Sequence, residues 1–209
     1  MLKIESFSLG PLETNAYLIM TEDESKAIII DPGMEPERLL ARIRDMEIEA
    51  VLLTHAHFDH IGGVEAVRTS KGCPVYVHEV EQDWLSSGEL NGSLLWPELG
   101  GEIRTSPAER LLKGGEQLIL LGETFDVYHT PGHSPGSVSF HLRSQNLLFG
   151  GDVLFRMSVG RTDLPGGSSR ELYASIHDKL FQLEEETKVL PGHGPATTIG
   201  YEKRYNPYV

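Results

Sequence analysis

The apolar residues of this chain recur at two spacings, and each spacing predicts a different kind of element. Short apolar runs bounded by Gly, Pro, Asp or Asn predict strands. In the first half of the chain these runs lie at residues 2–9, 15–20, 27–30, 51–54 and 75–77. Apolar residues at helical spacing predict a helix over residues 35–46, and we expect further helical turns at 61–69 and 79–85.

The second half of the chain repeats this mixture after a long polar stretch. Residues 86–107 are rich in Gly, Ser, Pro and Glu and predict a surface loop, one that we expect to cover a site. Further strands are predicted at residues 117–121, 124–129, 137–142, 146–149 and 188–190. Residues 170–183 predict an amphipathic helix, and no stretch resembles a linker. We therefore expect a single domain over residues 1–209.

Composition and charge argue against several classes of binding partner and cellular location. The chain has 18 basic and 31 acidic residues, a net charge of −13, which repels phosphate backbones and argues against nucleic acid as a partner. Cys73 is the one cysteine, so an intrachain disulfide cannot form. The first residues alternate like a strand, and no apolar run is long enough to span a bilayer. We expect a cytoplasmic protein with no membrane partner.

Candidate chemistry is densest directly after the strand predicted at residues 51–54. The sequence there reads VLLTHAHFDH, which puts His55, His57, Asp59 and His60 within six residues. Imidazole and carboxylate are preferred ligands of zinc and similar metals, and so many of them close together would gain nothing from simple burial. The alternative, surface histidines clustered by chance, requires a third of the chain's nine histidines to fall together. The pattern therefore favours a metal site.

Three more candidate ligands follow predicted strands further along the chain. His133 lies in TPGHSPGS, Asp152 in LLFGGDVLF and His193 in VLPGHGP. A single histidine after a strand is more often a hydrogen-bonded loop residue, but three such positions together with the first cluster form a joint signal. Seven ligands are too many for one tetrahedral ion and suit two ions that share Asp152. A two-metal site lowers the pKa of bound water enough to make a nucleophile at neutral pH.

The HxHxDH motif resembles that of the metallo-β-lactamase-fold hydrolases, and the resemblance extends from the first strand to PGHGP. It implies a mixed α/β fold, a four-layer αββα sandwich with the metal site at one edge between two sheets. It also implies one metal at His55, His57 and His133, and a second metal at Asp59, His60 and His193, with Asp152 bridging them. Asp59 is the expected catalytic residue among these ligands.

Chain length, HxHxDH and the GRTD at residues 160–163 are most similar to the small bacterial glyoxalase II-like branch. That branch is similar to hydroxyacylglutathione hydrolase, which cleaves the thioester S-D-lactoylglutathione with a metal-bridging hydroxide. Arg161 is then expected to bind a substrate carboxylate bidentately, although pairing with Asp163 to brace a loop is equally compatible. Full-length glyoxalase II binds glutathione with a C-terminal helical domain. Here 16 residues (209 − 193) follow His193, so another thiol carrier stays open.

Other functions stay open at this point. Persulfide dioxygenases of the same fold also contain GRTD, and would use one iron at His55, His133 and Asp152. Another small ester, thioester or lactone is a further candidate substrate, whereas true β-lactamases are commonly exported. A non-catalytic metal-binding module would prefer a closed site. Zinc is the expected metal, iron and manganese accept the same N/O ligands, and the sequence leaves the oligomeric state undetermined.

Overall fold

A computed structural model describes residues 1–209, which form two compact units, Met1–Leu112 and Lys113–Val209. Each unit contains one six-stranded sheet with helices, so the expected mixture of strands and helices is present in both halves of the chain. The single domain expected over residues 1–209 stays a prediction. None of the helices is both long and apolar enough to cross a membrane.

The sheet of the first unit keeps its strands in sequence order. These strands are β1 (Lys3–Leu9), β2 (Thr14–Met20), β3 (Lys26–Ile30), β4 (Glu47–Leu52), β5 (Val75–His78) and β6 (Arg110–Leu112). The pairs from β1 to β3 are antiparallel, and those from β3 to β6 are parallel. Since parallel strands end at the same edge of a sheet, the segments that follow β3, β4 and β5 emerge side by side.

Helices cover the parallel part of this sheet. They are α1 (Glu37–Arg42), α2 (Phe58–Ile61) and α3 (Val64–Lys71), with 3-10 helices at Glu79–Ser86, Ser93–Leu95 and Pro97–Leu99. Leu39, Val64 and Val67 of these helices, with Ile43 directly after α1, belong to one buried apolar cluster with strand residues such as Val51. Because β3 and β4 are buried on both faces, their cores read as continuous apolar runs rather than alternating ones.

Three sequence predictions in this unit need correction at their boundaries. The helix predicted at 35–46 is only Glu37–Arg42, with Pro36 at its N-cap. The helix predicted at 61–69 is interrupted at Gly62 and Gly63, where the backbone N–H of Gly63 donates to the carbonyl oxygen of Pro32 at 2.7 Å. A side chain at Gly62 would collide with Met34, and one at Gly63 with that carbonyl oxygen. The strand predicted at 51–54 begins earlier, at Glu47, and ends at Leu52, which leaves residues 53–57 in a loop.

The stretch predicted as a surface loop, residues 86–107, is more ordered than expected. It contains two short 3-10 helices, and the buried Asn91 side chain donates to the carbonyl oxygens of Trp84 and Ile103 at 3.1 and 2.8 Å. Leu94 and Leu95 are exposed, whereas Trp96 stacks on Phe58 with ring centroids 5.8 Å apart. Whether the segment covers a site stays a prediction.

The second unit contains the other sheet, in the order β14-β13-β10-β9-β8-β7. Its strands are β7 (Gln117–Leu120), β8 (Glu123–His129), β9 (Val138–Leu142), β10 (Leu147–Gly151), β13 (Lys188–Pro191) and β14 (Thr197–Thr198), with a hairpin of β11 (Leu154–Phe155) and β12 (Ser158–Val159). Its helices are α4 (Ser169–Asp178) and α5 (Ile199–Tyr205), with 3-10 helices at Arg143–Gln145 and Leu180–Gln182.

The amphipathic helix predicted at residues 170–183 is shorter than expected. Ser168 caps the start of α4 by accepting from the backbone N–H of Glu171, and α4 ends at Asp178. The chain leaves helical geometry at Lys179, so Leu180 lies in a separate 3-10 turn. Leu172, Ile176 and Leu180 are nevertheless buried in one apolar cluster, as their spacing predicts. Four short elements, β6, β14, the hairpin of β11 and β12, and α5, were not predicted from the sequence.

Candidate metal centre

In the first unit, Asp31 and the HxHxDH segment meet because β3 and β4 are parallel neighbours. Ile30 pairs with Leu52, so Asp31 follows one strand end and Thr54 lies just beyond the other. Asp31 is buried, and its Oδ1 accepts from the backbone N–H of Thr54 at 2.8 Å. Its Oδ2 accepts from the Thr54 hydroxyl at 2.6 Å and lies 2.9 Å from Nδ1 of His60. Asp31 therefore orients this segment with both carboxylate oxygens.

These contacts determine which ring nitrogen carries the proton in two of the candidate ligands. A carboxylate oxygen accepts, so Nδ1 of His60 donates to Asp31. The Thr54 hydroxyl has one proton, which it donates to Asp31. It must therefore accept from Nδ1 of His55, 3.1 Å away. With Nδ1 of each ring donating, the neutral form of either imidazole would offer Nε2 to a metal, the form that metal binding requires.

His57 and Asp59 complete the cluster of the first unit. The ring centroid of His55 lies 4.8 Å from that of His57 and 4.1 Å from that of His60. Asp59 Oδ2 lies 3.3 Å from Nε2 of His60 and accepts from the Thr14 hydroxyl at 2.8 Å. All four candidate ligands of this segment are buried. Protonated rings at this density would repel one another, so the cluster fits neutral imidazoles and a carboxylate that bind a divalent cation.

Asp31 also forms a metal-competent group of its own with His55 and His60, whose potential ligand atoms lie within 4.8 Å of one another. Both oxygens of Asp31 already accept hydrogen bonds, so we assign it to orienting His60 rather than to binding a metal. Asp31 was not among the candidate ligands identified from the sequence. Its position at a strand end was the same signal that identified the other candidates.

In the second unit, strand directions bring His133, Asp152 and His193 to one edge. β8 and β10 each pair antiparallel with β9 and therefore run in the same direction, and β13 is parallel to β10. Asp152 Oδ2 lies 3.6 Å from Nε2 of His133 and 3.5 Å from Nε2 of His193. One carboxylate oxygen thus faces two imidazoles.

The loop that follows β12 orients His133. Nδ1 of His133 donates to the carbonyl oxygen of Arg161 at 2.8 Å, which leaves Nε2 on the side of Asp152. Gly160 precedes that carbonyl, and a Cβ there would lie 1.8 Å from the carbonyl oxygen of Asp152. Glycine is therefore required at this position for the two chain segments to approach closely enough. The sequence analysis did not predict this backbone role of residue 161.

The side chain of Arg161 is engaged by Asp163. Its Nε and one terminal nitrogen donate to the two carboxylate oxygens of Asp163, both at 2.7 Å. This bidentate contact lowers the pKa of the Asp163 carboxyl to about 2 and raises the pKa of Arg161. Both side chains are exposed. The geometry matches the loop-bracing pair considered above, and substrate binding by Arg161 stays a prediction.

Comparisons with known proteins identify the family of this chain. A model described as the metallo-beta-lactamase superfamily matches residues 9–193. The probable metallo-hydrolase YqgX of Bacillus subtilis (strain 168) is 41% identical over 210 residues, covering 100% of this chain and 98% of the relative. Hydroxyacylglutathione hydrolase GloC of Haemophilus influenzae (strain ATCC 51907 / DSM 11121 / KW20 / Rd) is 36% identical over 212 residues, covering 100% and 98%.

Solved structures give the same result. BLEG-1, a B3 metallo-beta-lactamase, is similar with a TM-score of 0.93 and 47% identity over 99% of both chains. TTHA1623, in a di-iron-bound form, has a TM-score of 0.86 and 42% identity, covering 98% of this chain and 100% of the other. ETHE1 from Myxococcus xanthus has a TM-score of 0.77 and 29% identity, covering 98% and 83%.

These matches confirm the fold predicted from the sequence, a mixed α/β fold with two sheets and helices, while they do not single out the glyoxalase II-like branch. The clustered histidines and aspartates and the family together support divalent metal binding. The chain belongs to the metallo-β-lactamase superfamily, and this membership, together with the probable metallo-hydrolase among its relatives, supports a metal-dependent hydrolase.

Proposed function

We propose that this protein hydrolyses thioesters of the hydroxyacylglutathione type, with S-D-lactoylglutathione as the reference substrate. His55, His57 and His133 would hold one metal, Asp59, His60 and His193 would hold the other, and Asp152 would be a ligand of both. Zinc is the expected metal, and iron or manganese suits the same nitrogen and oxygen donors. Bound metals would supply an activated water at neutral pH and polarise the thioester carbonyl.

The protein's own residues then have defined tasks. Asp31, Thr54 and the carbonyl of Arg161 hold the rings of His60, His55 and His133 through Nδ1, so that Nε2 would be the metal ligand. Asp59 acts as a ligand and orients the attacking water with its carboxylate. The leaving thiolate needs no dedicated acid, because free thiols ionise near a pKa of ~8.5. This chemistry needs only orientation and metal binding from the chain.

The orientation of His60 is the observation that favours hydrolysis over dioxygenation. A persulfide dioxygenase would use one iron at His55, His133 and Asp152, and would leave His60 without a ligand role. In this protein, His60 is completely buried and bound through Nδ1 to the buried carboxylate of Asp31. A neutral imidazole held in this way is the usual arrangement of a metal ligand. The similarity to ETHE1 keeps the one-iron enzyme as the alternative to test.

The GloC relative supports glutathione as the thiol carrier. The alignment covers 98% of that relative, so a hydroxyacylglutathione hydrolase can have the length of this chain. A glutathione thioester is therefore compatible with a chain of this length. This removes the main sequence-based objection to that substrate.

Hydrolysis of a β-lactam is the second candidate, favoured by the 47% identity to BLEG-1, a B3 metallo-beta-lactamase. The two reactions differ in their leaving groups, because an amide nitrogen must be protonated as it leaves and a thiolate need not be. The thioester is therefore the less demanding substrate for a site without an assigned general acid.

The test is a comparison of substrates on one preparation reconstituted with zinc, iron or manganese. S-D-lactoylglutathione, a chromogenic cephalosporin, and glutathione persulfide with oxygen are assayed side by side, with metal content measured by elemental analysis. We expect two metals per chain and the highest kcat/KM with the thioester. Asp59→Ala should abolish turnover and lose one metal, whereas Asp45→Ala, at an exposed aspartate, should not. Higher kcat/KM for the cephalosporin or the persulfide would refute the proposal.

A further inference from the structure

The loop between β4 and α2 carries two proposed ligands, His55 and His57, with Ala56 between them. Ala56 lies outside any strand or helix, and its backbone N–H donates to Oε2 of Glu81 at 2.6 Å. The Glu81 side chain is fully buried, at 0% exposure. Hydrogen bonds to ionised carboxylates are shorter and stronger than neutral ones. This contact therefore fixes the backbone at the residue between the two ligands.

The same 3-10 helix makes a second contact with this loop. Glu81 and Trp84 both belong to the helix Glu79–Ser86, and residues three apart in a 3-10 helix lie on one face. The ring centroid of Trp84 lies 5.6 Å from that of His57, with 42° between the ring planes. The helix thus supports the loop through its backbone at Ala56 and through the ring of His57.

The position of this helix follows from the sheet. It starts directly after β5, which is parallel to β4, so it emerges beside the loop that follows β4. Its first turn is held by Nδ1 of His78, which accepts from the backbone N–H of Val80. Its last turn is held by Asn91, which donates to the carbonyl oxygen of Trp84 at 3.1 Å. A helix anchored at both ends is a rigid support for ligand geometry.

We infer that Glu81 is a positioning residue that sets the metal affinity of the His55–His57 segment. The inference rests on the proposed metal-dependent function, because it has meaning only if these histidines bind a metal. Residues that orient metal ligands typically change affinity by about 10- to 100-fold when they are replaced. Glu81 would act in this way through the backbone instead of through a ring nitrogen.

The experiment compares Glu81→Gln and Glu81→Ala with Glu79→Gln, an exposed glutamate on the same helix. Metal-free protein is titrated with Co²⁺ against a chelator, the visible cobalt spectrum is recorded, and the thermal unfolding of the metal-free protein is measured. Glu81→Gln keeps an oxygen acceptor but loses the charge, so we expect cobalt to bind about tenfold more weakly and with a shifted spectrum. Glu81→Ala should weaken binding about 100-fold, and Glu79→Gln should match the wild type.

Equal cobalt affinity and spectra in Glu81→Gln, Glu79→Gln and the wild type would overturn the inference. So would a lower Tm of metal-free Glu81→Gln with unchanged cobalt affinity, since that result assigns Glu81 to folding alone. If Glu81→Ala does not fold, Glu81→Gln decides. Cobalt binding needs no substrate, so a wild type that binds cobalt but cleaves no thioester refutes the proposed activity and leaves this inference standing. A wild type that binds no cobalt refutes both.

Discussion

Replacing Asp31 by Asn tests the network that orients His60. Three donors converge on this buried carboxylate, namely the backbone N–H and hydroxyl of Thr54 and Nδ1–H of His60. A carboxylate accepts all three, whereas an amide offers one oxygen and an NH₂ group that can only donate. With Nδ1 of His60 protonated and the Thr54 hydroxyl oriented as it is, at least one donor must therefore face another donor in Asp31→Asn. No rotation of the amide removes this conflict.

The loss of stability in Asp31→Asn follows from the amide orientation that leaves the fewest donors without an acceptor. With its nitrogen at the Oδ1 position, only the N–H of Thr54 loses its acceptor, which costs about 1–3 kcal/mol in a buried site. At roughly 2–4 °C per kcal/mol for a chain of this size, Tm falls by about 2–12 °C. His60 keeps an acceptor but a neutral one, so metal affinity should fall about tenfold, the low end for such residues. A tenfold loss lowers the stabilisation by excess metal by about 1.4 kcal/mol.

The assay is thermal unfolding with and without excess zinc, together with zinc affinity measured against a chelator. Asp45→Asn, the same change at an exposed aspartate, is the control and should match the wild type in every measurement. The reasoning would be wrong if Asp31→Asn kept both the wild-type Tm without metal and the wild-type zinc affinity. A lower Tm with unchanged zinc affinity would limit Asp31 to a structural role.

Three further predictions concern the second unit. Arg161→Lys should raise KM for the thioester more than it lowers kcat, because lysine keeps the charge but loses the bidentate fork. If Arg161→Lys and Asp163→Asn both lower Tm and leave KM unchanged, the Arg161–Asp163 pair braces the loop instead. Burial lowers the pKa of His141 below its ordinary 6.5, so the unfolded chain takes up this proton first as the pH falls. The free energy of unfolding should therefore decrease below pH 6.5, less so in His141→Gln, and equal pH slopes would contradict this. Gly132→Ala places a Cβ 2.2 Å from the backbone of α4 and should lower the free energy of unfolding by more than about 3 kcal/mol. Gly122→Ala, where nothing lies within 4 Å of the added Cβ, should lower it by about 1–2 kcal/mol. Equal losses of Tm in the two variants would refute the steric argument.

The sequence located the candidate ligands because they are local features. His55, His57, Asp59 and His60 lie within six residues, and the remaining candidates each follow an apolar run that forms a strand. Parallel strand ends share an edge, so residues placed there come together within each unit whatever the details of packing. The fold, which the comparisons confirm, could also be predicted, because alternating strands and helices restrict the available architectures.

The boundaries of elements were less predictable, because tertiary contacts decide them. The pattern of residues 61–69 is helical, and only the proximity of Met34 and Pro32 explains why the chain needs two glycines at its start. Likewise, the spacing of apolar residues in 170–183 predicts their burial correctly, although the α-helix itself ends at Asp178. Periodicity reports which residues face the core, and it does not report where the backbone must turn to avoid a neighbour.

The residues that orient the ligands were missed because they are distant in sequence. Asp31 lies 29 residues from His60, Glu81 lies 25 residues from Ala56, and the Arg161 carbonyl lies 28 residues from His133. For the first two, this separation is the length of one crossover between parallel strands, which needs a dozen or more residues and usually a helix. The segment after β4 is therefore held from both sides, by Asp31 after β3 and by Glu81 after β5. A ligand cluster that follows a central parallel strand should accordingly have its orienting carboxylates one strand earlier and one strand later, where a sequence can be searched for them.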